Sequence, residues 1–402
     1  MWFRIIYILF VISSLTLGSV YVGPLSMRHI FSLVMLFMCV KEERALWIDR
    51  SFRIFIVFFL CFAVSSFSYG YIEDFLKISV AYYAVAFIGL WATVIMCERY
   101  WSLSPIHTII WLGVIDGIIT ILQAYSNPVA IVIGNYFCPE EVEMMTEKII
   151  SGEFASWSIM GVFGAVYNGY FLLVASILAL FYVISYKSVF RLFPYVVCFV
   201  ASFVCQQRFP FIINVCFLVY FLYKYLGLLS YGKKILLIVS IVAMVAYVLP
   251  MFVRFSMQND MRYSTIGMED TGRLIIYEEA KTYVSSHLLT ANIFDFRAIY
   301  GASPHMLFYN MLIYSGIIGF VFLCSIVFIH IKKSIFALFN RLCYSNAAQF
   351  CFAGALLAFT CNSLTHNASF VSGDILYWML WGGVLASNAM MTGVERSNIS
   401  NK

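Results

Sequence analysis

The sequence predicts an all-α polytopic membrane protein of about twelve transmembrane helices, and three observations carry that expectation. Of 402 residues, 63% are hydrophobic and only 11% charged, with a mean hydropathy of +0.90; a soluble domain is roughly half apolar and a quarter charged. The apolar residues gather in runs close to the ~20 residues that a bilayer-crossing helix needs. Lys and Arg concentrate in alternate connections, as cytoplasmic loops require. The same figures exclude a disordered chain, collagen, a coiled coil and a disulfide scaffold. A net charge of +5 spread over this length supplies no basic stripe, so a nucleic-acid module is excluded too.

In chain order the runs are 3–22, 25–40, 52–69, 75–97, 106–126, 163–186, 189–205, 209–229, 235–253, 305–330, 347–364 and 372–392. The first has only Arg4 ahead of it and no small-residue cleavage site behind it, which reads as a retained helix and not a removed signal peptide. With the N-terminus inside, the inner segments hold Arg4, Lys41 to Arg53, Arg99, Lys187 and Arg191, Lys224 to Lys234, Lys332 to Arg341, and Arg396 and Lys402, which are 16 of the 25 basic residues. Of the outer connections before the long loop, the short ones hold Arg28, Lys77 and Arg208, and residues 127–162 hold Lys148. Both termini are therefore expected in the cytoplasm.

Two connections are too long to be turns, and both fall on the outer side. Residues 127–162 carry Glu140, Glu141, Glu143, Glu147 and Glu153 against Lys148 alone, an acidic external loop whose plain reading is a solvated face. Residues 254–304 read as an external subdomain. Within it Thr271 to Leu289 has helical spacing, with Leu274, Tyr277 or Glu278, Lys281 and Val284 marking faces and Asp270 or Thr271 able to cap the first turn. The expected organisation is residues 1–253 as nine helices, 254–304 as a periplasmic subdomain and 305–402 as three further helices. Ten of the eleven cysteines lie in or beside apolar runs, where they act as small hydrophobes. Only Cys138 falls in a long polar connection, and without CxxC or Cys/His spacing no disulfide, metal or cofactor is expected.

Polar groups at membrane depth are costly unless used or paired, so they mark the sites worth testing. Asp116, inside the fifth run, is expected to pack against a polar partner such as Gln123 or the backbone. The other candidates gather at the outer face: Gln206, Gln207 and Arg208 between the seventh and eighth runs, Arg254, Arg273 and Arg297 around the long loop, and His305 opening the tenth run. His366, followed by Asn367, forms a His-Asn pair in a different outer connection.

The order Cys205-Gln206-Gln207-Arg208, then Thr271-Gly272-Arg273 before a helix bearing Tyr277, then Ser303-Pro304-His305 before a helix with Gly316-Ile317-Ile318-Gly319, resembles the O-antigen ligase and polymerase superfamily. Those are multi-span, GT-C-like, inverting glycosyltransferases of the bacterial inner membrane that use undecaprenyl-diphosphate-linked sugars. The resemblance implies a periplasmic site with His305 as the catalytic group, Arg208 and Arg273 binding the diphosphate, and Arg254, Arg297, Gln207 and Tyr277 as secondary candidates. It also implies lipid-linked oligosaccharides as donor and acceptor, and a chain-length regulator and a flippase as pathway partners. The turn before the first arginine begins with Gln where the family usually has Ser or Thr, Met306 stands where Asn is common, and Tyr277 where Trp is expected. These departures favour a repeat-unit polymerase over a ligase that delivers glycan to lipid A core.

The chemistry suits these residue types without the analogy. A diphosphate leaving group needs fixed positive charge, and a guanidinium stays charged at low dielectric and grips phosphate oxygens in pairs. Arg273 near a helix start adds that helix's N-terminus to an anion site. An imidazole titrates near neutral pH and can orient or deprotonate an acceptor hydroxyl; beside a diphosphate it can instead stay protonated and stabilise the donor. A flippase or exporter of the same lipid-linked sugar is the alternative of a different class. Transporters place ionisable groups in repeat-related broken helices at the midplane, whereas here the charges gather at one face.

Overall fold

The computed structural model describes residues 1–17, 21–22, 25–42, 49–125, 127–138, 161–183, 192–205, 207–227, 231–232, 234–235, 239, 271–301, 303–304, 306–340, 346–365 and 370–400, with backbone alone at 21–25, 165–166, 271–274 and 388–400 where these fall within that set. Helices dominate. They are α1 (Trp2–Thr16), α2 (Met27–Lys41), α3 (Arg50–Ser68), α4 (Ile72–Glu98), α5 (Ser104–Ala124), α6 (Pro128–Phe137), α7 (Ala165–Tyr182), α8 (Phe193–Val204) and α9 (Arg208–Leu226). After them come α10 (Thr271–Ser286), α11 (Ile293–Tyr300), α12 (Leu307–Phe339), α13 (Ala347–Ser363) and α14 (Ile375–Ser400). Among the described residues α3, α4, α5, α9 and α12 are long and apolar enough to cross a membrane. The chain is a multi-pass, α-helical membrane protein.

Several boundaries differ from the sequence expectation for local reasons. The first apolar run yields a helix only to Thr16; Tyr21–Val22 then pairs antiparallel with Leu25–Ser26, the sequence between them being Gly-Pro. Residues 128–137, expected within an acidic loop, form α6, because Asn127 accepts from the Val129 and Ala130 amides and Pro128 supplies a preset first turn. The acidic stretch that follows lies outside the described residues, as does the ninth run over 240–253. Among the described residues of the subdomain expected over 254–304, a second helix follows the expected one, started by Asn292. On α10 the buried positions are Ala280, Tyr283 and Val284. Lys281 points outward, its side chain 67% exposed, while Val284 of the same spaced series is buried.

The chain forms two compact units, Met1–Ile109 with Glu269–Asn340 and Ala348–Lys402, and Ile110–Met268 with Arg341–Ala347. In the first, α3, α4, α12 and α14 share an aromatic core. Phe55 meets the Trp378 ring edge-on at 4.6 Å, Trp378 lies 5.2 Å from Trp381, and Phe62 stands 5.1 Å from Tyr314. Edge-to-face contact sets the positive ring edge on the negative ring face and adds to simple burial. Small residues let backbones approach, as helix packing in a membrane requires. A Cβ on Gly382 would stand 2.6 Å from the Leu90 carbonyl oxygen. The Tyr7 hydroxyl meets Thr93 Oγ1 at 2.9 Å and ties α1 to α4, and a buried chain runs from His330 Nδ1 to the Tyr377 hydroxyl at 3.0 Å and on to Thr360 Oγ1 at 3.2 Å.

The second unit packs α7 against α8 and α9, with Leu172, Ala201 and Cys205 at its centre. Two of its buried polar residues, Asp116 and Gln123, bond to backbone groups. Asp116 Oδ1 accepts from the Val162 amide at 2.8 Å, and Gln123 accepts from the Gly161 amide while donating to the Gly161 and Ala130 carbonyls. Gly161 has φ +55, and a Cβ there would run into Asp116. The backbone partner expected for Asp116 is thus found, and Gln123 serves the same turn.

Two irregularities shape the first unit. Residues Phe75–Val80 of α4 are a π-helical turn, an insertion that re-aims side chains and is frequent at functional sites. In α12 the helix breaks at Gly316, φ +64, where a Cβ would stand 2.5 Å from the Leu289 carbonyl oxygen; the Ile317 amide donates to the Leu288 carbonyl at 2.8 Å. The chain between α10 and α11 therefore supplies the acceptor for one amide of α12, and the close approach needs a glycine. This is the structural content of the Gly316-to-Gly319 segment.

Candidate functional site

The α10–α11 pair is fixed to the first unit through one asparagine. Asn292 Oδ1 caps α11 by accepting from the Phe294 and Asp295 amides, while Nδ2 donates to Ser65 Oγ at 3.2 Å and Ser66 Oγ at 3.0 Å at the end of α3. Ser65 in turn donates to the Ala291 carbonyl. The buried Tyr283 of α10 donates to Asp295 Oδ2 at 2.8 Å and accepts from the Asn292 amide. Burial pushes its phenol above the ordinary tyrosine range, and Asp295 adds to the shift, so it stays a neutral donor. Tyr277, nearer the start of α10, stacks on Tyr309 of α12 at 5.8 Å.

This platform sets Phe294 and Arg297 over a cavity of about 240 Å³ whose other walls include Ser79, Tyr82, Tyr83, Tyr314 and Ser372. Ser79 comes from the π turn of α4. The Arg28 guanidinium lies 5.7 Å from the Tyr82 ring centroid, and its Nε is buried with no hydrogen-bond partner among the described residues. Three phenol-bearing rings and a guanidinium around one small cavity can hold a sugar ring by stacking and hydroxyl exchange, with a cation beside it for a phosphate oxygen.

Arg297 also holds the segment ahead of His305. Its Nε donates to Ser303 Oγ at 2.5 Å, and Asn310 Nδ2 donates to the Pro304 carbonyl at 2.8 Å. The two residues before His305 are therefore held from both sides. His305 itself lies outside the described residues, as do Arg254, Gln206, Asp270, His366 and Asn367, and Arg273 is described only as a backbone position in the first turn of α10.

Arg208 and Gln207 belong to the second unit. Gln207, 6% exposed, precedes the half-buried Arg208 at the start of α9, and a Cβ on Gly169 of α7 would overlap its side chain. The structure thus brings together Arg297, Tyr277 and the Ser303-Pro304 segment in one unit, and Gln207 with Arg208 in the other. Sequence reasoning missed Ser79, Tyr82, Tyr83, Tyr314 and Asn310. It counted Arg28 only as a topological charge. A tyrosine pair in the outer half of an apolar run was the available signal; the π turn has none.

No protein-family model matches the chain, and no curated protein is significantly similar to it.

Proposed function

We propose that this protein is an inverting, metal-independent glycosyltransferase that polymerises undecaprenyl-diphosphate-linked repeat units at the periplasmic face of the bacterial inner membrane, with both termini in the cytoplasm. The observation that carries the reading is Arg297: one guanidinium lines the tyrosine-walled cavity and holds Ser303, two residues ahead of His305. The order of the arginine, histidine and glycine segments along the chain supports it.

In this reading the acceptor hydroxyl oxygen forms a bond to the donor's anomeric carbon from the face opposite the diphosphate. The bond from that carbon to the phosphate oxygen breaks, and configuration inverts. Undecaprenyl diphosphate leaves with the bonding pair, and Arg208 and Arg273 stabilise its growing charge. The hydroxyl proton passes to His305, or to water when His305 is already protonated beside the diphosphate. Tyr82, Tyr83 and Tyr314 orient the sugar, and Arg297 places His305.

The test is the glycan pattern of a strain lacking the gene and complemented with variants. Single repeat units on lipopolysaccharide, with full ladders restored by wild type and not by His305→Ala, are expected. Bare core with accumulated lipid-linked polymer would assign the ligase, and repeat units trapped inside the cell would assign the flippase. Activity in purified membranes should survive excess chelator.

A further inference from the structure

A second cavity lies in the first unit near the other end of α12, away from the tyrosine-lined cavity. It holds about 580 Å³ and is lined by Arg50, Lys332 and Lys333, with Gln349 and Ser387 among its polar walls. From Gly316 to Lys333 the helix rise of 1.5 Å per residue gives roughly 25 Å, close to the hydrocarbon thickness of a bilayer. The two cavities thus stand near opposite ends of one spanning helix.

Its charges are unbalanced. Lys333 pairs with Asp49 at 3.1 Å, and Asp49 is already committed to capping α3 through the Ser51 and Phe52 amides. Among the described residues Arg50 and Lys332 have no carboxylate partner. The Lys332 ammonium instead sits 5.9 Å from the Phe336 ring. Beside this cationic cavity the outward face of α12 is apolar and exposed: Phe328 is 66%, Phe336 63% and Phe339 77% accessible. These residues recur at intervals of eight and three on the helix, so they form one stripe along the helix edge that carries Lys332.

We propose that this cavity binds the phosphate headgroup of an anionic membrane lipid, with the acyl chains lying along the Phe328, Phe336 and Phe339 stripe. Two unpaired cations recognise a phosphate anion, and basic pockets between helix ends do bind lipid headgroups. A free phosphate shares the charge but has no use for the stripe. The site is independent of the glycosyltransferase reading, which concerns the opposite end of α12.

Full-length protein purified in a zwitterionic detergent and titrated with phosphatidylglycerol should show a saturable rise in melting temperature. Phosphatidylcholine should produce none. Arg50→Gln with Lys332→Gln should raise the lipid concentration needed by at least tenfold, while Lys281→Gln, on the exposed face of α10, should leave it unchanged. If the double variant does not fold, the same comparison is made with Lys332→Gln alone, expected to shift the titration at least threefold. Phe336→Ser separates the two sources: it should weaken phosphatidylglycerol binding and leave any effect of inorganic phosphate untouched. Equal stabilisation by inorganic phosphate at the same concentration would overturn the lipid as ligand, and an unshifted titration in the cation variants would overturn the site.

Discussion

At one end of α12 the cavity wall is phenolic: Tyr82, Tyr83 and Tyr314 surround a single arginine, Arg297. At the other end it is cationic, with Arg50, Lys332 and Lys333 and no tyrosine. Ring faces and hydroxyls match a sugar, which offers both apolar C–H faces and hydroxyl groups. Clustered cations match a phosphate and little else. The contrast is one of composition: the more basic cavity matches an anionic headgroup, and the less basic one carries the rings and hydroxyls that the proposed sugar substrate would use.

The severest way to break the phenolic end is through Gly316. Gly316→Val forces a β-branched residue to φ +64 and into the Leu289 carbonyl, costing about 3 kcal/mol or more, since a strained backbone alone costs roughly 1–3. Little folded protein should survive extraction, as judged by size-exclusion chromatography; a normal monodisperse yield would show that the α10–α11 connection does not need to dock in α12.

Asn292→Ala is the next largest. It removes a helix cap and the donor to two serines, an expected loss of about 2 kcal/mol or more. Thermal unfolding in detergent would report it, and a melting temperature within error of wild type would mean that the platform under Arg297 is held by something else.

Arg297 itself sharpens the comparison. Arg297→Ala should lower chain growth at least tenfold, about 1.4 kcal/mol of transition-state stabilisation, and Arg297→Lys should recover little of it because the bond to Ser303 comes from Nε. The same tenfold loss is expected for Arg208→Lys and Arg273→Lys. Ser303→Ala discriminates between Arg297 as a charge and Arg297 as a positioning residue: it keeps the guanidinium in the cavity, so an effect on the acceptor concentration dependence, with donor binding intact, assigns positioning.

The smallest effect belongs to the cationic end. Burial of Asp49 raises its carboxyl, but the Ser51 hydroxyl, the Lys333 ammonium and the Phe52 amide outweigh it, so the group titrates below its ordinary value. A folded-state value below the unfolded one stabilises the protein above the unfolded carboxylate range of about 4, and that contribution is lost as pH falls through the folded value. The pair with Lys333 is partly exposed, so the change should be under about 1 kcal/mol. Asp49→Asn should flatten the melting temperature below about pH 4 relative to wild type; a slope equal to wild type would assign the acid sensitivity to other groups.

How much of this was legible follows the range of the interactions. Apolar runs of this length favour helices, so eleven of the twelve expected runs coincide with helices among the described residues, and most of the ninth lies outside them. The α6 and α11 helices were hidden because each is started by a single asparagine cap, Asn127 and Asn292, within stretches whose length and polarity suggest loop. The π turn at Phe75–Val80 arises from tertiary packing and leaves no trace in residue spacing. Arg297 was visible as an arginine in the long loop, but its bond to Ser303, six residues on, depends on the turn after α11, and nothing in one-dimensional spacing distinguishes it from Arg254. The Arg50 and Lys332 pair was visible only as a topological signal, because Arg50 and Lys332 are 282 positions apart in sequence and meet only when α3 packs on α12.

The break in α12 has one more consequence. In an unbroken helix the amide at position 317 would be bonded within its own helix and would exchange with solvent at a rate set by that helix's fraying. Here its acceptor is the Leu288 carbonyl on a separate segment. The deuterium uptake of Ile317 is therefore a clock for the docking of that segment: each exchange event counts a departure of residues 288 and 289 from the membrane helix, while the amides a turn further along keep the slower time of the bundle.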